Sequence, residues 1–184
     1  RALARHALRV IDVEELQSHG GSIRILAAHE DDPRPTSDAV HELIAREERA
    51  GYGSVAGQLG FRDRVAAAKR ELLAFLIAER AAGRTVAGYG APGKANTLLN
   101  YCGIGRDLLA FTVDRNPYKH GRFTPGMHIP IHPPEVLAAE RPDTVLILPW
   151  NLQREVAAQL QPLRAAGSRL VVPTIIRGTM PQWW

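Results

Sequence analysis

The 184-residue sequence holds a single cysteine, Cys102, which excludes an intramolecular disulfide and a cysteine-based zinc cluster. That composition suits a reducing cytoplasm, the expected location. No uninterrupted apolar run approaches the roughly 18 residues of a membrane-spanning helix, so no membrane span is expected. Blocks of like charge are missing too: 23 Lys and Arg stand against 19 Asp and Glu, a formal +4, with the cations scattered along the chain. A nucleic-acid polymer is therefore not the expected partner, whereas a small anionic ligand fits the surplus. There is no internal repeat, no low-complexity segment, no initiator methionine and no secretory signal in residues 1–10. The opening at Arg1 suggests the C-terminal piece of something longer. What is there, 45% apolar and 23% charged residues, is an ordinary globular balance at one-domain length.

Residues 8–13 (LRVIDV) and 22–26 (SIRIL), parted by Gly20 and Gly21, predict a strand pair. The segment EDDPRPTSD, 30–38, predicts a boundary, with Ser37 or Asp38 placed to cap a helix over 39–50 that Gly51 and Gly53 end. Phe61, Val65, Ala68, Leu72, Phe75 and Leu76 fall on one face of a 3.6-residue period, predicting a helix that stops at Gly83. Apolar runs at 85–90, 108–113, 144–148 and 168–176 predict strands, with a short helix at 94–101. Leu152, Val156, Leu160 and Leu163 mark one side of another helix, bent by Pro162. Between them, 116–134 is rich in Pro and Gly, with one β-like island at 128–131. Continuous apolar strands alternating with helices argue for a parallel sheet covered on both faces. The expected fold is α/β: a Rossmann-like three-layer domain with a mostly parallel sheet over 61–184, preceded by a strand pair in 1–29 and a helical linker in 30–60.

Gly88, Gly90 and Gly93 stand at GxGxxG spacing between a predicted strand and a predicted helix, and Asp114 ends the next strand. Glycines let backbone approach a ligand, and amides at a helix start favour phosphate. Lys94 adds a mobile cation. The same glycines also serve a strand-to-helix turn with no ligand, and Asp114 suits a loop amide as well as a ribose hydroxyl. An NAD(P)-dependent oxidoreductase is one alternative. It is weakened by Pro92, which removes a donor from the cradle, and by the segment after Asp114, which is no plain crossover helix.

At GYGAPGKANTLLNYCGI (88–104), VDRNPYKHGRFTPGMHIPI (113–131) and LILPWN (146–151) the chain resembles the C-terminal domain of sugar C-methyltransferases. Upstream, VIDVEELQSHGGSIRI (10–25) looks like the closing strand pair of their methyltransferase domain, so 1–29 is expected to be the tail of that domain. In that family a zinc-binding N-terminal domain and a middle domain that binds S-adenosylmethionine and carries the catalytic residues come first. The resemblance therefore implies no catalytic residue, no metal and no cofactor on this chain, with S-adenosylmethionine and structural zinc in the missing N-terminal part. It implies a nucleotide-linked keto-deoxysugar as ligand and no methyl transfer by this chain alone. One departure is local: the family usually reads APAKGN where this chain has Ala91, Pro92, Gly93, Lys94, Ala95 and Asn96, so Lys and Asn are kept while the glycine has moved.

Carried over residue by residue, Gly90, Ala91, Pro92, Lys94 and Asn96 would form the ligand-facing loop. Arg115, Asn116, Lys119 and Arg122 would offer diphosphate or sugar contacts, since Arg meets phosphate bidentately and Lys as a point charge. A solvated basic loop is the blander role. Tyr89, Tyr118 or Trp150 would stack on a base or pack at a strand end, and Asn151 would cap a helix or touch ligand. His19 would face the sugar or be structural. His128 and His132 lie four apart, but Pro130, Pro133 and Pro134 forbid the helix that would make them a metal pair. Cys102 is expected to be buried and inert. A non-catalytic structural or dimerisation domain is the remaining alternative.

Overall fold

The two β-branched runs near the N-terminus pair as expected. In the computed structural model, which describes residues 2–173, β1 (Leu8–Leu16) and β2 (Ser22–His29) run antiparallel, from Leu8 opposite His29 to Leu16 opposite Ser22. Ile11 and Ala28 are buried, while Ile23, Ile25 and Leu26 of β2 are exposed. Ser37 stands at the N-cap position of α1 (Asp38–Arg49), but its hydroxyl donates to Asp12 Oδ1 at 2.6 Å and bonds no helix amide. The next helix, α2 (Val55–Ala81), begins six residues before Phe61, because the Ser54 hydroxyl accepts the Gly57 N–H at 3.1 Å and so satisfies a donor of the first turn. Gly57 and Gly60 hide that start, being poor helix formers. The backbone falls into two compact units, one up to Asp63 and the other from Arg64.

The second unit holds the remaining strands and helices. They are β3 (Val86–Tyr89), α3 (Gly93–Cys102), β4 (Phe111–Val113), β5 (Ile131–His132), α4 (Glu135–Glu140), β6 (Thr144–Ile147), α5 (Gln153–Gln159), α6 (Gln161–Ala165) and β7 (Arg169–Val171). All five strands are parallel, in the order β5-β4-β3-β6-β7, with Ala87 beside Phe111, Val86 beside Thr144, Thr112 beside Ile131 and Thr144 beside Arg169. Counted from β3 this is the order 3-2-1-4-5 of a doubly wound half. The chain leaves β3 toward one edge and returns at β6 on its other side, opening a crevice at the carboxyl ends of those strands.

One face of the sheet packs Leu72 and Leu76 of α2 and Ala95 and Leu99 of α3 against Val86, Leu146 and Leu148. The other packs Leu137 of α4 and Val156 of α5 against Ala87, Val113, Val145 and Ile147. Strand positions are buried on both faces, which is why these strands read as unbroken apolar runs. Cys102 lies in the first cluster at 4% exposure, as expected. Phe61, at the head of the predicted apolar face of α2, is exposed instead.

Three details differ from expectation. The island at 128–131 is shifted: His128 turns through a left-handed conformation (φ +51°), and the strand contact falls at Ile131–His132. The short helix α4 was not anticipated, since Pro133 and Pro134 stand directly before it and only six residues follow. The helix over 152–163 is split into α5 and α6 at Leu160, with Pro162 in the first turn of α6. Residues 174–176 of the predicted last strand lie outside the described residues. Among the described residues no helix is long and apolar enough to cross a membrane.

The amino ends of the strands are tied by a buried carboxylate. Glu79, 2% exposed, accepts two hydrogen bonds from Arg84 at 3.0 and 2.8 Å, one from the Thr144 hydroxyl at 2.9 Å, and another from Arg169. The Arg84 hydrogen bonds lead the other bonds in holding its pKa at about 2 against the opposing cost of burial. Glu79 shares a helical face with Leu72 and Leu76, so a charge on the buried stripe was visible in the sequence.

Candidate ligand-binding site

The carboxyl ends of β3, β4 and β6 bring together the loops 90–93, 114–122 and 149–152. The first is shaped by two glycines with different reasons to be glycine. A Cβ on Gly88 would lie 2.6 Å from the Thr112 hydroxyl and 3.0 Å from Leu148, so the adjacent strands exclude a side chain there. Gly90 has φ +87° and Pro149 only 2.7 Å from where its Cβ would stand. Gly93 has neither constraint, since a Cβ there would meet nothing within 4 Å. The third glycine of the GxGxxG pattern is thus structurally free.

The loop amides are mostly occupied from within. Gly90 N–H donates to Val113 O at 2.5 Å, Ala91 N–H to Asp114 Oδ2 at 2.8 Å, and Pro92 has no N–H. Ala95 and Asn96 N–H both donate to Pro92 O. A dinucleotide cradle needs those amides pointed at a pyrophosphate.

Asp114, 9% exposed, is equally committed. Its Oδ2 accepts from Ala91 N–H and from Lys119 Nζ at 2.8 Å, and its Oδ1 accepts the Asn116 N–H at 2.9 Å. Burial opposes its charge, yet the Lys119 hydrogen bond and the two amides together hold its pKa below the ordinary carboxylate value. Of the two roles open to Asp114, the fold uses the loop-amide one. Lys119 Nζ also donates to Ala91 O at 3.1 Å, strapping the 114–122 loop to the glycine loop. His120 Nε2 bonds Asp114 O at 2.6 Å, and Asn116 Oδ1 accepts the Tyr118 N–H in a 3-10 turn.

Lys94, in the first turn of α3, has different company. Its ammonium donates to Asn151 Oδ1 and lies 4.9 Å from the centroid of the Trp150 ring, both in the loop after β6. Neither partner is charged, and burial pulls the lysine pKa below its ordinary value. Asn151 therefore accepts from Lys94, and no side chain caps α5. Two residues along α3 from Lys94, Asn96 Oδ1 is buried and has no hydrogen-bond partner among the described residues.

The other predicted residues are more dispersed. Arg115 pairs with Glu155 at 3.2 Å on the surface, and Glu155 in turn accepts from Gln159, whose Oε1 accepts the Tyr89 hydroxyl at 2.7 Å. Tyr89 is 6% exposed and packs within the core, so of its two suggested roles packing is the one it fills. Arg122 is exposed and makes no side-chain bond among the described residues, and Tyr118 is 82% exposed. His19 is exposed and belongs to the first unit, in a 3-10 turn with φ +55°. An open cavity of about 570 Å³ lies beside β7, lined by Gln153, Arg154, Arg164 and Leu170 among others, and shares no residue with the crevice. Its position does not coincide with the loops that carry the chemistry. The Lys94–Asn151 contact spans 57 positions, and no local signal announces it.

Comparisons with known proteins place the chain in a family. A family model described as the C-methyltransferase C-terminal domain matches residues 17–174. A relative, C-methyltransferase NovU from Streptomyces niveus, is 39% identical over 171 residues, which is 91% of this chain and 40% of that protein. The chain thus spans less than half of the relative's length. The chain belongs to the C-methyltransferase C-terminal domain family.

Proposed function

We propose that this chain is the sugar-nucleotide-binding part of an S-adenosylmethionine-dependent C-methyltransferase acting on a nucleoside-diphosphate keto-deoxysugar. The observation that carries the reading is the environment of Lys94: a partly buried ammonium whose partners among the described residues are neutral, at the crevice where doubly wound sheets take ligands. An anionic diphosphate supplies the missing counter-charge. Arg122, exposed on the loop after β4, offers a second cation.

This reading assigns S-adenosylmethionine and zinc to a part of the enzyme outside this chain. Three donors already engage Asp114, the acid that would meet a ribose, and the one cysteine is buried. The same commitments argue against the dinucleotide alternative. In this reading methyl transfer belongs to residues outside these 184. The exposed Ile23, Ile25 and Leu26 of β2 support the reading of the strand pair as the margin of a larger methyltransferase domain.

Titration calorimetry of this chain with a thymidine-diphosphate deoxysugar tests the reading. Binding is expected, with a loss of about tenfold or more in Lys94→Ala and no heat with NAD. Equal affinity in Lys94→Ala, or binding of NAD alone, contradicts it. Absence of both ligands' binding favours a structural or dimerisation domain.

A further inference from the structure

We infer that Trp150 and Asn151 are positioning residues for Lys94: they hold its ammonium across the crevice between the β3 and β6 crossovers so that it meets the anionic end of the ligand already in place. This deepens the sugar-nucleotide reading and rests on it.

Two lysines of the crevice show what is special. Lys119 Nζ faces the Asp114 carboxylate at 2.8 Å, so its charge is cancelled and it serves as a strap. Lys94 Nζ faces an amide oxygen and a ring face, which orient a cation without neutralising it. A carboxamide is the group that fits this task, because it accepts the same hydrogen bond as a carboxylate and leaves the field of the ammonium open to a ligand. The four-carbon stem of lysine is flexible. Holding its head in advance reduces the ordering that binding would otherwise require. The tether also explains why the loop after β6, LPWN, belongs to the site although neither Trp150 nor Asn151 has to touch the ligand.

The contrast predicts that making Lys94 resemble Lys119 disables it. Asn151→Asp places a carboxylate at the Lys94 ammonium and keeps the shape. With thymidine 5′-diphosphate as the probe and calorimetry on this chain, Asn151→Asp is expected to lower affinity by about tenfold or more. Its affinity should also depend less on salt than the wild type's, because one net charge has left the encounter. Asn151→Gln, which retains the amide, is expected to recover part of the loss. Trp150→Leu, which removes the ring face, should cost about threefold to fivefold. In ¹³C-lysine spectra, Asn151→Asp should raise the Lys94 pKa above that of both the wild type and Asn151→Ala, which loses the same contact without adding a charge. Thermal melts confirm that each variant folds.

Wild-type binding that Lys94→Ala weakens, with Asn151→Asp matching wild type in affinity and salt dependence, overturns the positioning role and leaves the sugar-nucleotide reading standing. Weakening in Asn151→Asp with an unchanged salt dependence and no recovery in Asn151→Gln also overturns it, since packing then explains the loss. A wild-type chain that does not bind the probe, or that binds it regardless of Lys94, overturns both.

Discussion

The two ends of the parallel sheet treat charge in opposite ways. At the amino ends, Glu79 gathers Arg84, Arg169 and Thr144, and Asp143 accepts both the backbone N–H and the hydroxyl of Thr85. The carboxylates there are engaged by guanidinium, hydroxyl or backbone donors. At the carboxyl ends, Asp114 is similarly satisfied, but Lys94 is held by neutral partners and Asn96 Oδ1 by none. A closed set of charges staples strands and helix, whereas an open one is positioned to complete itself with a ligand. Perturbed ionisation by itself does not separate the two ends, since Glu79 is shifted and structural. The nature of the partner separates them.

The largest expected effect lies at the amino end. Glu79→Gln leaves Arg84 and Arg169 without their carboxylate and should destabilise the second unit by about 3 kcal/mol, lowering Tm by about 10 °C in circular dichroism melts. The pKa of Glu79 is depressed to about 2, so the stability it contributes is fully present above its unfolded value near 4.5. That contribution is lost as pH falls through the folded value. Melts between pH 5 and 2 should fall steeply for the wild type and less steeply for Glu79→Gln. Parallel curves would remove Glu79 from its role as staple.

Next come the glycines, which divide the carboxyl end itself. Gly90→Ala meets both a positive φ and Pro149, and should cost about 2–3 kcal/mol. Gly93→Ala should change stability by less than about 0.5 kcal/mol, because its Cβ enters open space. Comparable losses at the two positions, measured by urea denaturation, would mean that the loop is a uniform turn with no special demand at Gly90.

A smaller effect is expected at the strap. Asp114→Asn keeps the shape and removes the charge facing Lys119, which should cost about 1–2 kcal/mol. Asp114 is held below the ordinary carboxylate value, so its contribution is present above the unfolded pKa and fades as pH falls through the folded one. In Asp114→Asn, Lys119 becomes a second uncancelled cation in the crevice. Its affinity for thymidine 5′-diphosphate is therefore expected to equal or exceed the wild type's, while Asn151→Asp lowers it. Calorimetry of the two variants together sharpens the distinction between strap and anchor.

The sheet was legible because the buried strands are short runs free of charged residues between helical periods, as in TVAGY before Gly90 and TVLIL before Pro149. Short elements fixed by tertiary contact were not: α4 has six residues, and the true start of α2 depends on one serine hydroxyl among glycines. At the site, the glycine loop and its lysine could be read locally. The pairing of Lys94 with Asn151 could not, since it is a consequence of β6 returning beside β3. Asp114 shows a third case, where sequence left two roles open and only the positions of Ala91, Asn116 and Lys119 choose between them.

A crystal structure of this chain with a thymidine-diphosphate deoxysugar is the most direct test of the crevice as the binding site. The expected result is a diphosphate oxygen within hydrogen-bond distance of Lys94 Nζ, between the loops after β3 and β6. Diphosphate held elsewhere, with the crevice closed by side chains, would contradict it.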